Sequence, residues 1–571
     1  MILGALTVKD RILARFPVLQ RVLVDPPHKM ATRVITTGIR TGLLGLASQR
    51  PLEVARILLA RGLGVRSMHA IHAVNDADRP ALVDERRTVS YREADHEIDA
   101  IAAALRDHLG VSRSAPVAVM MENRVEYALV WFALFRLGVT CAHMGRHSTV
   151  EELEPLLDRS GARVLVVSDK TFDVAAAVLA NRPELDLRIV RVGGGRPVAR
   201  VSDYDEVCAR GLGLVCKLRV EAGPRDNVVY TSGTTGRPKG AVRDMAAVGP
   251  TELFRVLERL PLHTGDRHLV CAPMYHSSGQ VFVLINTALG ASIHFQERFD
   301  PETTLARIAS DGIHNVFMVP TMIQRILDLP DEVHARHPTP ELRALISGAA
   351  PFNTALRERA IARFGAGVVF DFYGATELGW VTLVDGHEML AHPGTVGRPI
   401  AGQEIAILDE DGARVPTGTA GRVFTRSAQL MVGYLRDASS SDELASGQWL
   451  TVDDLGYVDA DGYLYITGRA RDMVISGGVN IYPVEIENAL SKHPEVADVA
   501  VIGVPDAEWG ERLVAVVVPR AGFSAEDVAA WARERLTPYK VPRRWETLAE
   551  LPRNPTGKVL KRELVERFSV A

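Results

Sequence analysis

Short apolar, β-branched runs alternate with helical stretches for most of this chain, and that alternation limits its fold more than any other feature. "APVAVMMEN", "VTCAHM", "RVLVVSD" and "LRIVRVG" are separated by segments such as "VEYALVWFALFRLG". The alternation continues through "HLVCAPM", "NVFMVP", "LRALISGAA" and "GVVFDFYG". Runs apolar along their whole length suit strands covered on both faces, and strands alternating with helices predict α/β layers built on parallel sheet. "AVNDADRPALVDERRTVSYREADHEIDAIAAALRDHLG" reads as two short strands followed by a helix. Beyond about residue 400, "EIAILDEDGARVPTGTAGRVFTRS" reads as hairpin strands joined by Asp-Gly and Pro-Thr-Gly turns. A compact tail of helices and strands follows. At 571 residues the chain is too long for a single core. We expect a basic extension over 1–70, a large domain over 71–468 with parallel and mixed sheets, flanking helices and a β-rich subdomain, and a small mobile α+β domain over 469–571, the boundary falling near Gly468–Arg471.

Composition excludes several classes. A net charge of −4 gives no overall attraction to nucleic acid, and Cys141, Cys208, Cys216 and Cys271 form neither a CxxC pair nor a metal-ligand spacing. A reducing, cytoplasmic setting is expected. "MILGALTVKD" lacks a preceding cationic segment and a cleavage site, and no apolar run reaches the ~20 residues of a membrane span. Charge is unevenly placed, however. Residues 1–66 hold eleven Lys/Arg against Asp10, Asp25 and Glu53, a balance of +8. Basic residues recur among apolar ones every three or four positions in "RILARFPVLQRVLV" and "PLEVARILLARGLG". Two readings stand: an amphipathic helix lying on the inner, anionic face of a membrane, or a helical extension packed on the protein's own surface.

The stretch "VVYTSGTTGRPKG" carries chemistry. Gly233, Gly236 and Gly240 let backbone wrap a ligand; Thr231, Ser232, Thr234 and Thr235 bring hydroxyls, and Lys239 a point charge. The set suits a polyphosphate tail, yet it is neither GxxxxGK[ST] nor GxGxxG. In "GATE", Glu377 follows Thr376 at the end of an apolar run; a carboxylate beside phosphates implies an intervening Mg²⁺. His276 stands in "APMYHSSG" before a small, apolar run with no Asp placed to take an ammonium group, so an acid bound there should have an apolar tail.

Residues 230–240 resemble the signature loop of the AMP-forming acyl-CoA synthetases of the adenylate-forming superfamily. "FDFYGATELG" (370–379) resembles the family's second nucleotide motif, and "TVDDLGYVD" its ribose motif. "GRARDMVISGGVNIYPVEIE" resembles its hinge and thioester loop, and "LPRNPTGKVLK" the segment of its catalytic lysine. The resemblance extends in order over about residues 75–565. It implies ATP and CoA as co-substrates with Mg²⁺ held by Glu377 and Thr234, and catalytic roles for Lys558, Glu377, Thr376 and His276, the last as a gate to the acyl pocket. It places the nucleotide on Thr231, Ser232, Gly233, Thr234, Thr235, Gly236 and Lys239. Adenine falls among Gly348, Ala349, Ala350, Asp371, Tyr373 and Gly374, and the ribose on Asp454 and Arg469. Gly477 and Gly478 mark the thioester loop. The implied reaction makes acyl-AMP from a carboxylic acid, a medium- or long-chain fatty acid first among candidates, then acyl-CoA. Two alternatives are a ligase that loads a carrier protein and a membrane-attached fatty-acid binding protein without catalysis. The chain departs from the family at Asp453, where a glycine is usual, and at Arg471, the hinge position. "HMGRHSTVEEL" loosely matches a carrier-protein attachment site but reads as a turn and helix cap.

Overall fold

Every apolar run named above forms a strand, and the reason is visible in the burial. Val117–Met120, Val164–Ser168, Asn315–Met318 and Ala344–Ser347 are buried at each position, so neither face of these strands meets water. The architecture comes from a computed structural model, which describes residues 27–62, 64–113, 115–194, 199–214, 226–231, 239–244, 250–427, 433–434, 449–476, 479–506, 508–554 and 557–569.

Among these residues two large sheets form the body. One is eight-stranded. Its parallel part runs from Asp226–Thr231 through Cys141–His143, Val117–Met120, Val164–Ser168 and Arg188–Val192 to Val201–Asp203, and Lys239–Asp244 and then Gly433–Tyr434 extend the other side antiparallel. The second is nine-stranded. Its parallel centre runs from Val369–Ala375 through Ala344–Ser347, Asn315–Met318, Arg267–Val270 and Ser292–Phe295 to Pro80–Val83. Helix Val125–Leu137 is buried at every residue, which explains why its sequence shows no polar face. Helix Tyr91–Asp107 starts on a capping box between Ser90 and Glu93. "HSTVEEL" proves to be the cap the sequence suggested: Thr149 and Glu152 form a capping box at the start of helix Val150–Ser160.

The β-rich part is a four-stranded antiparallel sheet of Glu404–Leu408, Gly421–Arg426, Asp454–Val458 and Leu464–Arg469. Sheet membership changes immediately after it. Val474–Ser476 belongs to a separate sheet with Val479–Ile481, Gly510–Pro519, Val496–Asp506 and Arg544–Thr547, covered by helices Pro483–Leu490, Ala525–Arg535 and Lys561–Phe568. The chain is therefore α/β, with a large N-terminal body and a smaller C-terminal α+β unit.

The described part of the N-terminal segment packs on the protein's own surface. Helices Pro27–Thr41, Leu43–Gln49 and Pro51–Arg61 do pack on the body. Arg40 donates to the carbonyls of Leu257 and Leu260, and Arg61 reaches Asp95 and Asp99 at 2.9 Å each. Leu43 joins the apolar cluster of Val256, Leu257 and Phe282. Several apolar side chains nonetheless stay on the outside.

Candidate active site

Three segments meet at Asp454. It opens the strand Asp454–Val458 and stands directly opposite Arg469 in the neighbouring strand, so the sheet register brings the pair together. Arg469 Nε forms an ion pair with Asp454 Oδ1 at 2.9 Å, and Tyr373 OH donates to Oδ2 at 2.7 Å. Burial, reinforced by the Asp454 charge, pushes the Tyr373 phenol upward, so it stays a protonated donor. Asp453 resolves the departure from the family motif. Its φ is +62°, the left-handed region where glycine is favoured and Asp is tolerated, and its carboxylate turns away to within 3.7 Å of Arg422. Asp454, not Asp453, therefore faces Tyr373 and Arg469.

A second wall comes from the ends of two parallel strands. Ser347 ends one, and Gly348, Ala349 and Ala350 follow; Ala349 is held at φ +69°, a conformation alanine pays for. Asp371 lies in the adjacent strand, buried, with Oδ2 on Arg357 Nη2 at 2.6 Å. Burial raises its carboxyl above the usual range despite Arg357. Its other oxygen, Oδ1, is buried without a partner, as an acceptor awaiting a donor would be. Gly374 must be glycine: a Cβ there would lie 2.2 Å from the carbonyl oxygen of Gly379.

The strand ends at Ala375, and Thr376 and Glu377 follow in the turn, both half-buried. Thr376 Oγ1 lies 3.2 Å from Ser277 Oγ, which ties this end to helix Ser277–Ala288 and to His276 at its N-cap. Glu377 has no ion-pair partner among the described residues, and with the adjacent hydroxyls it offers the hard oxygen donors that suit Mg²⁺. His276 Nε2 is buried and unpartnered, and burial lowers its pKa to about 4, so the ring is neutral near pH 7.

Lys558 arrives from the C-terminal unit. Its loop is tied by Asn554, whose Oδ1 accepts from the Lys558 backbone at 2.9 Å. Gly557, at φ +79°, sits against the body: a Cβ there would approach Thr321 Oγ1 to 2.9 Å. Gln324 Nε2 donates across the same junction to the Ala497 carbonyl at 2.8 Å. Lys558 is pushed down to about 8, by burial first and then by the positive charges of Arg469 and Arg471, with Asp472 and Asp454 opposing. The lysine and the Asp454 pair thus share one electrostatic neighbourhood.

The AMP-binding enzyme family matches residues 70–435, and its C-terminal domain matches residues 485–558. The chain belongs to the AMP-binding enzyme family. Among relatives of this AMP-binding enzyme, a feruloyl-CoA synthase from Amycolatopsis sp. is 33% identical over 491 residues, 84% of this chain and 94% of the relative. The fatty acid–acyl-carrier-protein ligase ScoC from Streptomyces coeruleorubidus is 30% identical over 518 residues, 87% and 95% of the two chains. ATP-bound MatB from Rhodopseudomonas palustris superposes with a TM-score of 0.77 at 28% identity, covering 88% of this chain and 99% of that one.

Of the residues expected from sequence, the structure brings together Asp371, Tyr373, Gly374, Asp454, Arg469 and Lys558, with Gly348, Ala349 and Ala350 following a strand adjacent to Asp371. Ser232, Gly233, Thr234, Thr235, Gly236, Gly477 and Gly478 lie outside the described residues, as do the side chains of Thr231 and Lys239. Sequence reading missed a buried polar chain in this AMP-binding enzyme. Asn227, on strand Asp226–Thr231, donates to Gln280 Oε1 at 3.0 Å and accepts from Trp131 Nε1 at 2.9 Å. Gln280 Nε2 donates to the Met274 carbonyl at 2.9 Å, beside His276. This chain fixes strand Asp226–Thr231 to helix Ser277–Ala288. Its only sequence signal is a polar residue inside each of two apolar runs, "DNVVY" and "SGQVFV".

Proposed function

We propose that this AMP-binding enzyme activates a carboxylic acid with ATP and passes the acyl group to CoA. The observation that carries the reading is Lys558, delivered by the C-terminal unit to the Asp454–Arg469 pair. The resemblance assigns the ribose to that pair, so the α-phosphate would lie close to the ammonium. Asp371 Oδ1 would accept from the exocyclic amine of adenine. The acid's carboxylate oxygen attacks the α-phosphorus, the bond to the β-phosphate oxygen breaks, and pyrophosphate leaves along residues 231–239. Lys558 offsets the charge that gathers when one anion attacks another. Glu377 and Thr234 would hold Mg²⁺, which neutralises the triphosphate. After the C-terminal unit turns about Arg471, the CoA thiolate attacks the acyl carbon and AMP departs with the former carboxylate oxygen.

The acid we favour is a medium- or long-chain fatty acid. The support is the apolar helix behind His276, with Phe282, Val283, Leu284 and Ile285 buried and no carboxylate on it to pair an ammonium. The basic segment 1–66 would hold the enzyme on the inner face of the membrane in the cytoplasm. The experiment is a panel of fatty, aromatic and amino acids with ATP, Mg²⁺ and either CoA or a carrier protein. Pyrophosphate and AMP formed with apolar acids, and thioester formed on CoA, support the reading. Thioester formed only on the carrier makes the chain a carrier-loading ligase, and no turnover with any acid leaves a binding protein.

A further inference from the structure

Helix Pro27–Thr41 is mounted inside out. Its buried positions are Thr37 and Thr41, 2% and 1% exposed, with Gly38 between them; Arg33 and Arg40 also reach inward, to Glu258 and to backbone carbonyls. Its outward positions include Ile35 and Ile39, 52% and 68% exposed. A helix on a water-soluble surface normally shows the opposite polarity. Helix Pro51–Arg61 also leaves apolar side chains outside. Val54 and Arg61 face the body, while Leu52, Arg56 and Leu59, one face at i, i+4 and i+7, are exposed. Leu44 on the intervening helix is exposed as well. Half of the large apolar side chains exposed among the described residues fall within this one stretch, and such clustering marks a contact surface.

The charge decides the partner. The stretch lies in the segment that carries +8 in a chain of net −4. Arg33, Arg40 and Arg61 turn to the body, while exposed Arg50, 3.7 Å from Glu53, and exposed Arg56 stand beside the exposed leucines. Two copies meeting through this face would bring two such segments together. An anionic bilayer accepts both features: Ile and Leu enter the acyl boundary while arginines meet the headgroups. We propose that Ile35, Ile39, Leu44, Leu52 and Leu59 form a docking face by which the protein lies on an anionic lipid bilayer, while the opposite helix faces, with Thr37, Thr41, Leu43, Val54 and Arg61, hold the segment to the body. This deepens the membrane attachment proposed above and is independent of which acid is activated.

The test uses the full chain, a double variant Ile39→Glu/Leu59→Glu, and vesicles of phosphatidylcholine with or without about a third phosphatidylglycerol. Both substituted positions are largely exposed, so folding should survive, and thermal melting together with adenylation of a short water-soluble acid checks this on the same samples. The parent should co-sediment with the anionic vesicles, bind neutral ones poorly and weaken as salt rises. The double variant should bind at least ~10-fold more weakly with its melting unchanged, since two charges would enter the bilayer boundary. Equal binding by parent and variant, equal binding to neutral vesicles, or no binding by the parent overturns the proposal. So does a parent dimer that the variant dissociates, which would assign the face to a second copy. A parent that binds vesicles but adenylates nothing would leave the docking face standing and remove the catalytic reading.

Discussion

Lowering of the Lys558 pKa to about 8 predicts an alkaline limb far below that of an ordinary lysine. The perturbation is pH itself, applied to the acyl-AMP half-reaction in the absence of CoA. A group of pKa about 8 is roughly nine-tenths charged at pH 7, half at pH 8 and one-tenth at pH 9. If the charged ammonium is what lowers the barrier, kcat/KM for ATP should fall about 10-fold between its plateau and pH 9. A lysine at its usual value would lose only a few per cent there. The limb in kcat should lie higher, because kcat reports the complex and bound phosphates favour the charged form. Stability supplies the sign check. A lysine with a folded-state value below its unfolded one binds fewer protons when folded between about pH 8 and 10.5, so this site's contribution to stability rises with pH across that window. The span is at most about 3 kcal/mol, and partial solvent access reduces it. Pyrophosphate release in single turnovers from pH 6.5 to 10 gives the profile, and Lys558→Arg, which keeps its charge, should flatten it. A wild-type profile level to pH 10, or a limb that Lys558→Arg leaves in place, refutes the reasoning.

Other consequences follow from the same geometry. Lys558→Ala should slow acyl-AMP formation by at least ~10²-fold while leaving CoA attack on supplied acyl-AMP near wild type; equal losses in both steps, measured by quench-flow, contradict the assignment. His276, held neutral by a pKa near 4, should contribute no limb between pH 5.5 and 7.5. A limb near 6.5 that disappears in His276→Ala would show the ring to be charged in the working enzyme. Asp371→Ala strands the Arg357 guanidinium, 5% exposed, and should cost about 3–5 kcal/mol in urea unfolding; a loss under about 1 kcal/mol means the pair is well solvated.

The parallel strands were legible because burial on both faces demands unbroken apolar runs, as at Val164–Ser168 and Ala344–Ser347. The nucleotide motifs were legible because their residue types are bound to chemistry. Register within them was not: Asp453 and Asp454 are adjacent carboxylates, and only the +62° backbone at Asp453 shows which one turns toward Tyr373. Nor does periodicity give direction. It revealed an amphipathic N-terminus but not that Thr37 and Thr41 would face the body while Ile35 and Ile39 faced outward. A chain starting near Ser67 should fold unaided if that segment were only an appendage, yet Arg40, Leu43 and Arg61 tie it to the body, and its removal would uncover Asp95, Asp99 and the Leu257 cluster. Asn227 and Gln280 escaped notice because a single buried amide in an apolar run looks like a tolerated exception until its partner, 53 residues away, is seen beside it.

The central claim is that this protein makes an acyl-adenylate, and isotope transfer tests it most directly. The acid, labelled with ¹⁸O in both carboxylate oxygens, is turned over with unlabelled ATP and CoA, and the products are weighed by mass spectrometry. Attack at the α-phosphorus followed by thiolysis at the acyl carbon places one ¹⁸O in AMP, keeps one in the acyl-CoA carbonyl and leaves pyrophosphate unlabelled. Label appearing in inorganic phosphate with ADP as co-product, or AMP emerging without label, would contradict the account.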